Sequence, residues 1–241
     1  MLDYVTDSRW LRVLLAILPM TDLYAQTARP NRPIEIVGTW SGVSISHAII
    51  ERAMVAADLD HTTPGGCFSF SCTTPRSHPR SFAPYASGTV SVGYTFSHRW
   101  AARLLSSSTP LGSTSGYHSP GSFLSLERDV QARAIVVDHV IGAFRLGAGP
   151  AWYRTRVRRY GVGGPWPQQR TRRVGFLAEL TATVKPDSRV FVAPLLQWRA
   201  VGSVPIGPFT VDGGAATFPR TSVSFSNFTF GVGLGCPLLA A

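Results

Sequence analysis

Eight segments of the chain alternate between apolar and polar residues, and this alternation limits the possible folds more than any other feature. Successive side chains of a β-strand point to opposite faces, so each segment is predicted to be a strand with one apolar face. Several segments exceed the ~5–6 residues common in globular strands and match the ~9–11 residues of a tilted bilayer crossing. The segments are residues 33–46, 87–97, 100–108, 122–137, 140–157, 172–184, 189–199 and 221–235.

The connections between these segments alternate in length, and every long one falls at the same end of the predicted sheet. Tight turns are predicted at "SHRW", at Asp138-His139 and at "KPDS", whereas long connections cover about 47–86, 109–121, 158–171 and 200–220. Barrels of bacterial outer membranes have short periplasmic turns and long external loops in this alternation. We therefore predict an all-β fold, an eight-stranded antiparallel up-and-down transmembrane β-barrel. A short helix is predicted in the first long loop, over "SHAIIERAMVAADLD".

The stretch "IGAFRLGAGPAWYR" raises the question of which strand face points outward. Leu146 and Ala148 share one face, and Arg145 and Gly147 share the other. The apolar face would line the core of a soluble barrel but would contact lipid in a membrane barrel. Lipid is favoured because only 15% of residues are charged, too few to solvate an outer face well. Aromatic residues near the segment ends resemble interfacial girdles, namely Trp40, Trp100, Trp152, Tyr153 and Trp198.

The polar face is accordingly assigned to the lumen, which side chains fill in a barrel of this size. Because a buried charge must be paired, we predict a network of ion pairs that plugs the lumen, with Arg145 paired to Glu179 on the next strand. In the fourth segment this assignment puts Asp129 and Gln131 inside, and Leu126, Val130, Ala132, Ala134 and Val136 on the lipid face. The predicted network consists of Arg103, Glu127, Arg133, Arg145 and Glu179.

The N-terminus has the pattern of an export signal, because Arg9 and Arg12 precede an apolar run that leads to a small residue at Ala25. We predict a signal peptide at 1–25, a lead-in at 26–32, the barrel at 33–236 and a tail at 237–241. In an oxidising compartment Cys67 and Cys72 are close enough to form a disulfide, although two inert thiols are the alternative. No spacing of Cys or His suggests a metal site, and no cofactor is expected.

Basic residues exceed acidic ones by ten, but no nucleic-acid-binding motif accompanies them, so nucleic acid is not an expected partner. Several arginines border the third long loop, where the external membrane surface would lie. Since guanidinium groups bind phosphate in a forked geometry, we predict that this belt contacts lipid phosphates. The alternative is a solvated loop rim. The belt consists of Arg154, Arg156, Arg158, Arg159, Arg170, Arg172 and Arg173.

The strings "GTVSVGYTFSHRWAARL", "FRLGAGPAWYR", "AELTATVKPDSRVFV" and "FTFGVGLG" resemble the small OmpA-type, eight-stranded outer-membrane barrel family over about residues 33–236. This resemblance implies an integral outer-membrane protein without a catalytic set, inserted by the outer-membrane assembly machinery and expected to be monomeric. Barrels of this family usually end on an aromatic residue, whereas this chain ends "GCPLLAA". Phe228 and Phe230 are candidates for an internal version of that signal.

Two other functions are compatible with parts of the sequence. A lipid A-modifying barrel enzyme would need a Ser and a His near the membrane surface, and the candidates are Ser46-His47, Ser97-His98 and His118-Ser119. Adjacent residues of an extended chain point apart, so these pairs are interpreted as polar turn residues and no enzymatic activity is predicted. A soluble, lipocalin-like binder of small molecules is the second alternative, and it requires apolar side chains inside the barrel.

Overall fold

The computed structural model describes residues 34–60, 78–82, 86–119, 122–161, 164–165, 168–184, 190–211 and 216–238. The predicted signal peptide (1–25), the lead-in (26–32) and the Cys67–Cys72 pair lie outside these residues and stay predictions. Cys236 is an exposed free thiol.

The described residues form fourteen strands and one helix. In chain order these are β1 (Ile34–Ser44), α1 (Ala48–Ala56), β2 (Arg80–Phe82), β3 (Ser87–Thr95), β4 (Trp100–Ser119), β5 (Ser122–Ile141), β6 (Phe144–Gly161), β7 (Gly164–Pro165), β8 (Gln169–Ala182), β9 (Phe191–Ala200), β10 (Ser203–Ile206), β11 (Phe209–Val211), β12 (Ala216–Phe218), β13 (Thr221–Ser224) and β14 (Asn227–Leu238).

Eight of the strands close into a ring in the order β1, β3, β4, β5, β6, β8, β9, β14, and every neighbouring pair is antiparallel. The ring is completed by β14 and β1, which pair from Ile34 opposite Leu238 to Ser44 opposite Phe228. Each of these eight strands therefore pairs with the barrel strands that precede and follow it along the chain, and the last pairs with the first. The predicted eight-stranded up-and-down barrel is confirmed.

The barrel wall is much taller on one side than on the other. β4 and β5 have 20 residues each, whereas β3 has 9. The loop predicted over 109–121 is wrong, because nearly all of it is strand. The turn predicted at Asp138-His139 is also wrong, since β5 continues to Ile141 and the chain turns at 142–143. We call the end of the barrel with these short turns the turn end and the opposite end the loop end.

Apolar side chains cover the outside of the turn-end half. On β6 the exposed residues include Leu146 and Trp152, while Arg145 and Gly147 point inward and are buried. The same parity holds on β3, β8, β9 and β14, as the alternation predicted. Tyr153 is an exception to the predicted girdle, because it points inward and donates a hydrogen bond to the Phe176 carbonyl oxygen at 2.8 Å.

The face assignment of β5 is wrong. Leu126, Val130, Ala132, Ala134 and Val136 are buried inside the barrel, whereas Gln131 and Arg133 point outward. The reason is a second, apolar core inside the loop-end half of the barrel, which these β5 side chains help to form. The inside of the barrel is thus polar in the turn-end half and apolar in the loop-end half.

Two elements fill the mouth at the loop end. The predicted helix of the first long loop is present as α1, which buries Ile50, Ala53 and Met54 in the apolar core. The last long connection folds as a double ladder, in which β10 pairs with β13 and β11 pairs with β12, and it buries Phe218 in the same core. We call α1 and this ladder together the plug. Within the described residues, no helix is long and apolar enough to cross a bilayer.

Candidate functional site

Ion pairs occupy the lumen of the turn-end half. Arg103 of β4 donates two hydrogen bonds to the Asp138 carboxylate, at 2.6 and 2.7 Å, and its Nη2 atom lies 2.6 Å from Glu179 Oε1. Arg145 of β6 forms a second pair across the lumen with Glu35 of β1, with Nη2 2.8 Å from Oε2. All of these side chains are almost fully buried. Arg103 and Arg145 are therefore each matched by at least one carboxylate.

The structure brings together only part of the predicted lumen network. Arg103, Arg145 and Glu179 lie inside, whereas Glu127 and Arg133 point away from the lumen, because both sit on the outward face of β5. Arg145 does not pair with Glu179, since it lies opposite Thr181 in the β6–β8 register. The alternation of apolar residues did not predict that Asp138 faces the lumen, because the prediction put this residue in a turn.

Two glycines provide the space that the buried arginines occupy. A Cβ atom on Gly147 would lie 2.2 Å from Asp138 Oδ1, and one on Gly93 would lie 2.9 Å from Arg103 Cγ. Above Arg103, the Arg199 guanidinium is fully buried and donates to Gln197 Oε1 at 2.5 Å, and Gln197 donates to Glu179 at 2.7 Å. A lumen cavity of ≈ 20 Å³ beside Arg103, Arg145 and Glu179 is about the size of one water molecule.

Four arginines form two facing pairs on the outside of the wall, just above the apolar band. In the β6–β8 register Arg154 is opposite Arg172 and Arg156 is opposite Arg170. Directly below them, Trp152 is opposite Val174, two residues nearer the turn end. Since two residues of a strand span about 7 Å, the first pair lies about 7 Å above the last apolar pair and the second about 7 Å higher. We call Arg154, Arg156, Arg170 and Arg172 the arginine row.

Carboxylates of β5 neutralise only one edge of this row. Asp129 Oδ2 accepts a hydrogen bond from Arg156 Nε at 2.6 Å, and Arg158 lies 3.2 Å from Glu127 Oε2 and 3.5 Å from Asp129. Among the described residues, neither Arg154 nor Arg172 is within ion-pair distance of a carboxylate. Their side chains face each other as like charges on neighbouring strands, an arrangement that destabilises a sheet unless an anion joins it.

Three arginines of the predicted belt lie outside the row. One is Arg158, which pairs with carboxylates of β5, and the other two are Arg159 and Arg173. Arg159 lies with its guanidinium carbon 4.6 Å from the centre of the Phe209 ring, and Arg173 donates to the Ser203 carbonyl oxygen at 3.3 Å. Both contacts are to the ladder of the last loop, because odd-numbered residues of β6 and β8 point to the inner side of the wall. The contact of the belt with lipid phosphates stays a prediction, while the contacts that these two arginines make are with the ladder.

The three Ser-His candidates do not form catalytic pairs among the contacts of the described residues. His47 Nδ1 contacts Arg128 and Thr114, while the Ser46 hydroxyl accepts a bond from the Ala48 amide at 3.4 Å. His118 contacts Asp58, with its Nδ1 atom 3.3 Å from Oδ2. His98 is exposed in the turn between β3 and β4. In the part of the chain that the structure describes, no three side chains of His, Cys, Asp or Glu cluster as a metal site would require.

Several solved β-barrel structures are similar to this chain at a low level. Ail, the attachment invasion locus protein of Yersinia pestis, is 8% identical, with 84% of this chain and 96% of Ail covered and a TM-score of 0.39. Neisserial surface protein A is 11% identical, with 85% of this chain and 96% of that protein covered and a TM-score of 0.35. The outer membrane protein OprG from Pseudomonas aeruginosa is 12% identical, with 86% of this chain and 97% of OprG covered and a TM-score of 0.45. No protein-family model and no curated protein matches the chain. Similarities this weak carry no argument, so the fold is established by the closed sheet itself.

Proposed function

We propose that this protein is a non-enzymatic, integral barrel of a bacterial outer membrane, and that the arginine row binds phosphate groups of outer-leaflet lipid such as lipopolysaccharide. The observation that carries the proposal is the position of the row. Two facing pairs of arginines lie on the outside of the wall, immediately beyond the apolar band, and Arg154 and Arg172 have no carboxylate partner among the described residues.

The dimensions of the apolar band support a membrane location. On β6 its outward residues run from Phe144 to Trp152, which spans about 27 Å along the strand and about 20 Å along the barrel axis at a tilt of ~40°. Outer-membrane barrels carry an apolar band ≈ 25 Å tall, flanked by aromatic girdles. Trp40, Trp152 and Trp198 are exposed on this surface. A water-soluble binder with an apolar interior would have the opposite arrangement in this half of the barrel.

The chemistry of the arginine row matches phosphate. Lipid phosphates lie just outside the hydrocarbon layer, the level at which the first pair projects from the wall. A phosphate between Arg154 and Arg172 would accept charge-assisted hydrogen bonds from both guanidinium groups and would remove their mutual repulsion. Trp152 lies at the edge of the apolar band, and Arg154 lies two residues above it on the same strand. One lipid molecule could therefore contact the tryptophan with its acyl chain and the arginine with its phosphate.

Lipopolysaccharide binding by the purified, full-length protein in detergent tests this proposal. The double variant Arg154→Gln/Arg172→Gln is expected to bind labelled lipopolysaccharide at least tenfold more weakly, because it loses two charge-assisted contacts. The control is Arg80→Gln/Arg220→Gln, which removes the same charge from two exposed arginines elsewhere, and it should bind within about twofold of the wild type. Dephosphorylated lipopolysaccharide should bind the wild type as weakly as it binds the row variant.

Two results would overturn the proposal. Equal losses in the row variant and in the control would mean that total charge, and not the position of the row, controls binding. Unchanged binding after removal of the lipid phosphates would mean that the row does not contact them. Membrane location is tested separately, because a membrane barrel should be recovered only after detergent extraction and a soluble protein should not need it.

A further inference from the structure

The helix of the plug is attached to the barrel wall through a partly buried histidine–arginine contact. His47 is the residue that precedes α1, and its Nδ1 atom lies 2.8 Å from Arg128 Nη2 of β5. Thr114 Oγ1 of β4 lies 3.2 Å from the same nitrogen. Arg128 is fully buried, and it is one of the two largest charged side chains that the barrel interior encloses. The contact is polar, but it sits beside the apolar core formed by α1, β4 and β5.

The contact requires a neutral imidazole. A guanidinium group can only donate hydrogen bonds, so Nδ1 of His47 must accept, and the ring proton must be on Nε2. Protonation would turn Nδ1 into a donor and would place a second positive charge 2.8 Å from the first. The hydrogen bond would then be lost, and the imidazolium would be in contact with a guanidinium that is fully buried.

Little in the described residues offsets such a repulsion. The Nε and Nη1 atoms of Arg128 and the Nε2 atom of His47 are sealed from solvent and have no hydrogen-bond partner among the described residues. The charged groups that act on His47 are Arg128 of β5 and Glu51 of α1, while β4 and β2 contribute the hydroxyl groups of Thr114 and Ser81. Glu51 acts on Arg128 as well, but it forms no ion pair with either side chain.

We propose that His47 and Arg128 form an acid-sensitive latch, so that protonation of His47 releases α1 from the mouth of the barrel. The released helix would expose the apolar side chains that α1 buries, Ile50, Ala53 and Met54, together with the wall residues beneath them. The device is local, because the ion pairs of the turn-end half do not involve His47. It does not depend on lipid binding by the arginine row.

The direction of the pH response follows from the protonation states. Burial, and then the charge of Arg128, lower the pKa of His47 below its usual value of 6.5 in the closed plug. In an open plug the imidazole is solvated and titrates near 6.5, so the open state takes up the proton first. The latch is therefore intact above about pH 6.5 and weakens as the pH falls. One proton is coupled to opening, which limits the effect to tenfold per pH unit.

Hydrogen exchange of the full-length protein in detergent or bilayers, read by mass spectrometry, tests the latch. After correction for the intrinsic exchange rate, protection of the α1 amides should fall by up to tenfold per pH unit below pH 6.5, while protection of the β3 and β9 amides stays constant. His47→Gln should remove this pH dependence, because its side-chain oxygen still accepts from Arg128 but does not titrate. Arg128→Met should reduce the dependence, since the cation that opposes protonation is absent.

The matched control is His118→Gln, which removes a second histidine near the loop end that contacts Asp58 instead of an arginine. It should retain the wild-type pH dependence. The latch is overturned if α1 protection in the wild type does not change with pH, or if His118→Gln abolishes the change and His47→Gln does not. Equal loss of protection in α1, β3 and β9 would indicate global unfolding and would also overturn it.

Discussion

Removal of Arg103 is the substitution to which the barrel interior should respond most strongly. Arg103 donates two hydrogen bonds to Asp138, whose side chain has 0% exposure, and it pairs with Glu179, whose side chain has 2%. No other described side chain bonds the Asp138 carboxylate, whereas Glu179 also accepts from Gln197 and Thr181. Arg103→Met therefore leaves one carboxylate unpaired in a site that excludes water and removes the cation from a second.

The free energy of unfolding is expected to fall by about 3–5 kcal/mol, which is the range measured when one partner of a buried ion pair is removed. Glu179→Gln should cost less, because the Arg103–Asp138 pair persists. The double variant Arg103→Met/Asp138→Asn should be closer to the wild type than the sum of its single variants, because neither partner is left charged and alone. Arg99→Met, an exposed residue of the β3–β4 turn, should stay within about 0.5 kcal/mol of the wild type.

Urea unfolding in lipid vesicles measures these differences, with tryptophan fluorescence and heat-modifiable gel mobility as two probes of the same transition. Arg103→Met should lower the urea midpoint by the largest amount in the set, with an unchanged slope. The reasoning is refuted if Arg103→Met and Arg99→Met have the same midpoint, or if the Arg103–Asp138 double-mutant cycle gives a coupling energy of zero.

Three further substitutions test other parts of the fold by urea unfolding or hydrogen exchange. Gly147→Ala would place a Cβ atom 2.2 Å from Asp138 Oδ1 and should cost about 1–3 kcal/mol, whereas no loss would mean that the lumen has spare room. Met54→Ala should increase exchange in α1 and leave heat-modifiable mobility intact, because its cost of about 2–5 kcal/mol falls on the plug; unchanged α1 exchange would contradict the packing. Tyr153→Phe should cost about 0.5–1.5 kcal/mol through its lost bond to the Phe176 carbonyl, and a stabilised variant would contradict that bond.

The closed barrel could be predicted from the sequence because each strand of the turn-end half carries one apolar face and because short turns connect successive strands at that end. The alternation of Leu146 and Trp152 with Arg145 and Gly147 fixes two faces, and the low charge content indicates which face meets lipid. On β5 the same alternation led to the wrong assignment of faces. A period of two shows that one face is apolar, but it does not show whether that face points to lipid or into the barrel. Only the presence of α1 inside the loop-end half explains why Leu126 and Val130 point inward.

The partners of the buried arginines could not be predicted from neighbouring strands. Arg145 and Glu179 are on adjacent strands, yet Arg145 reaches across the lumen to Glu35, because a narrow barrel brings opposite walls within the length of an arginine side chain. Asp138 was missed because the turn was predicted at Asp138-His139. The β5–β6 turn depends instead on Gly142, which has a positive φ of 57°. The His47–Arg128 contact joins residues 81 positions apart and has no local signal at all.

The central claim, that apolar side chains meet lipid and ionised ones line the lumen, is tested most directly by spin labels placed one at a time along β6 from 144 to 153 in a bilayer. Lipid-soluble oxygen should relax labels at even positions such as Leu146, Ala148 and Pro150, and labels at Arg145, Gly147 and Gly149 should be shielded from it. The opposite phase, or equal accessibility at all ten positions, would contradict the membrane barrel.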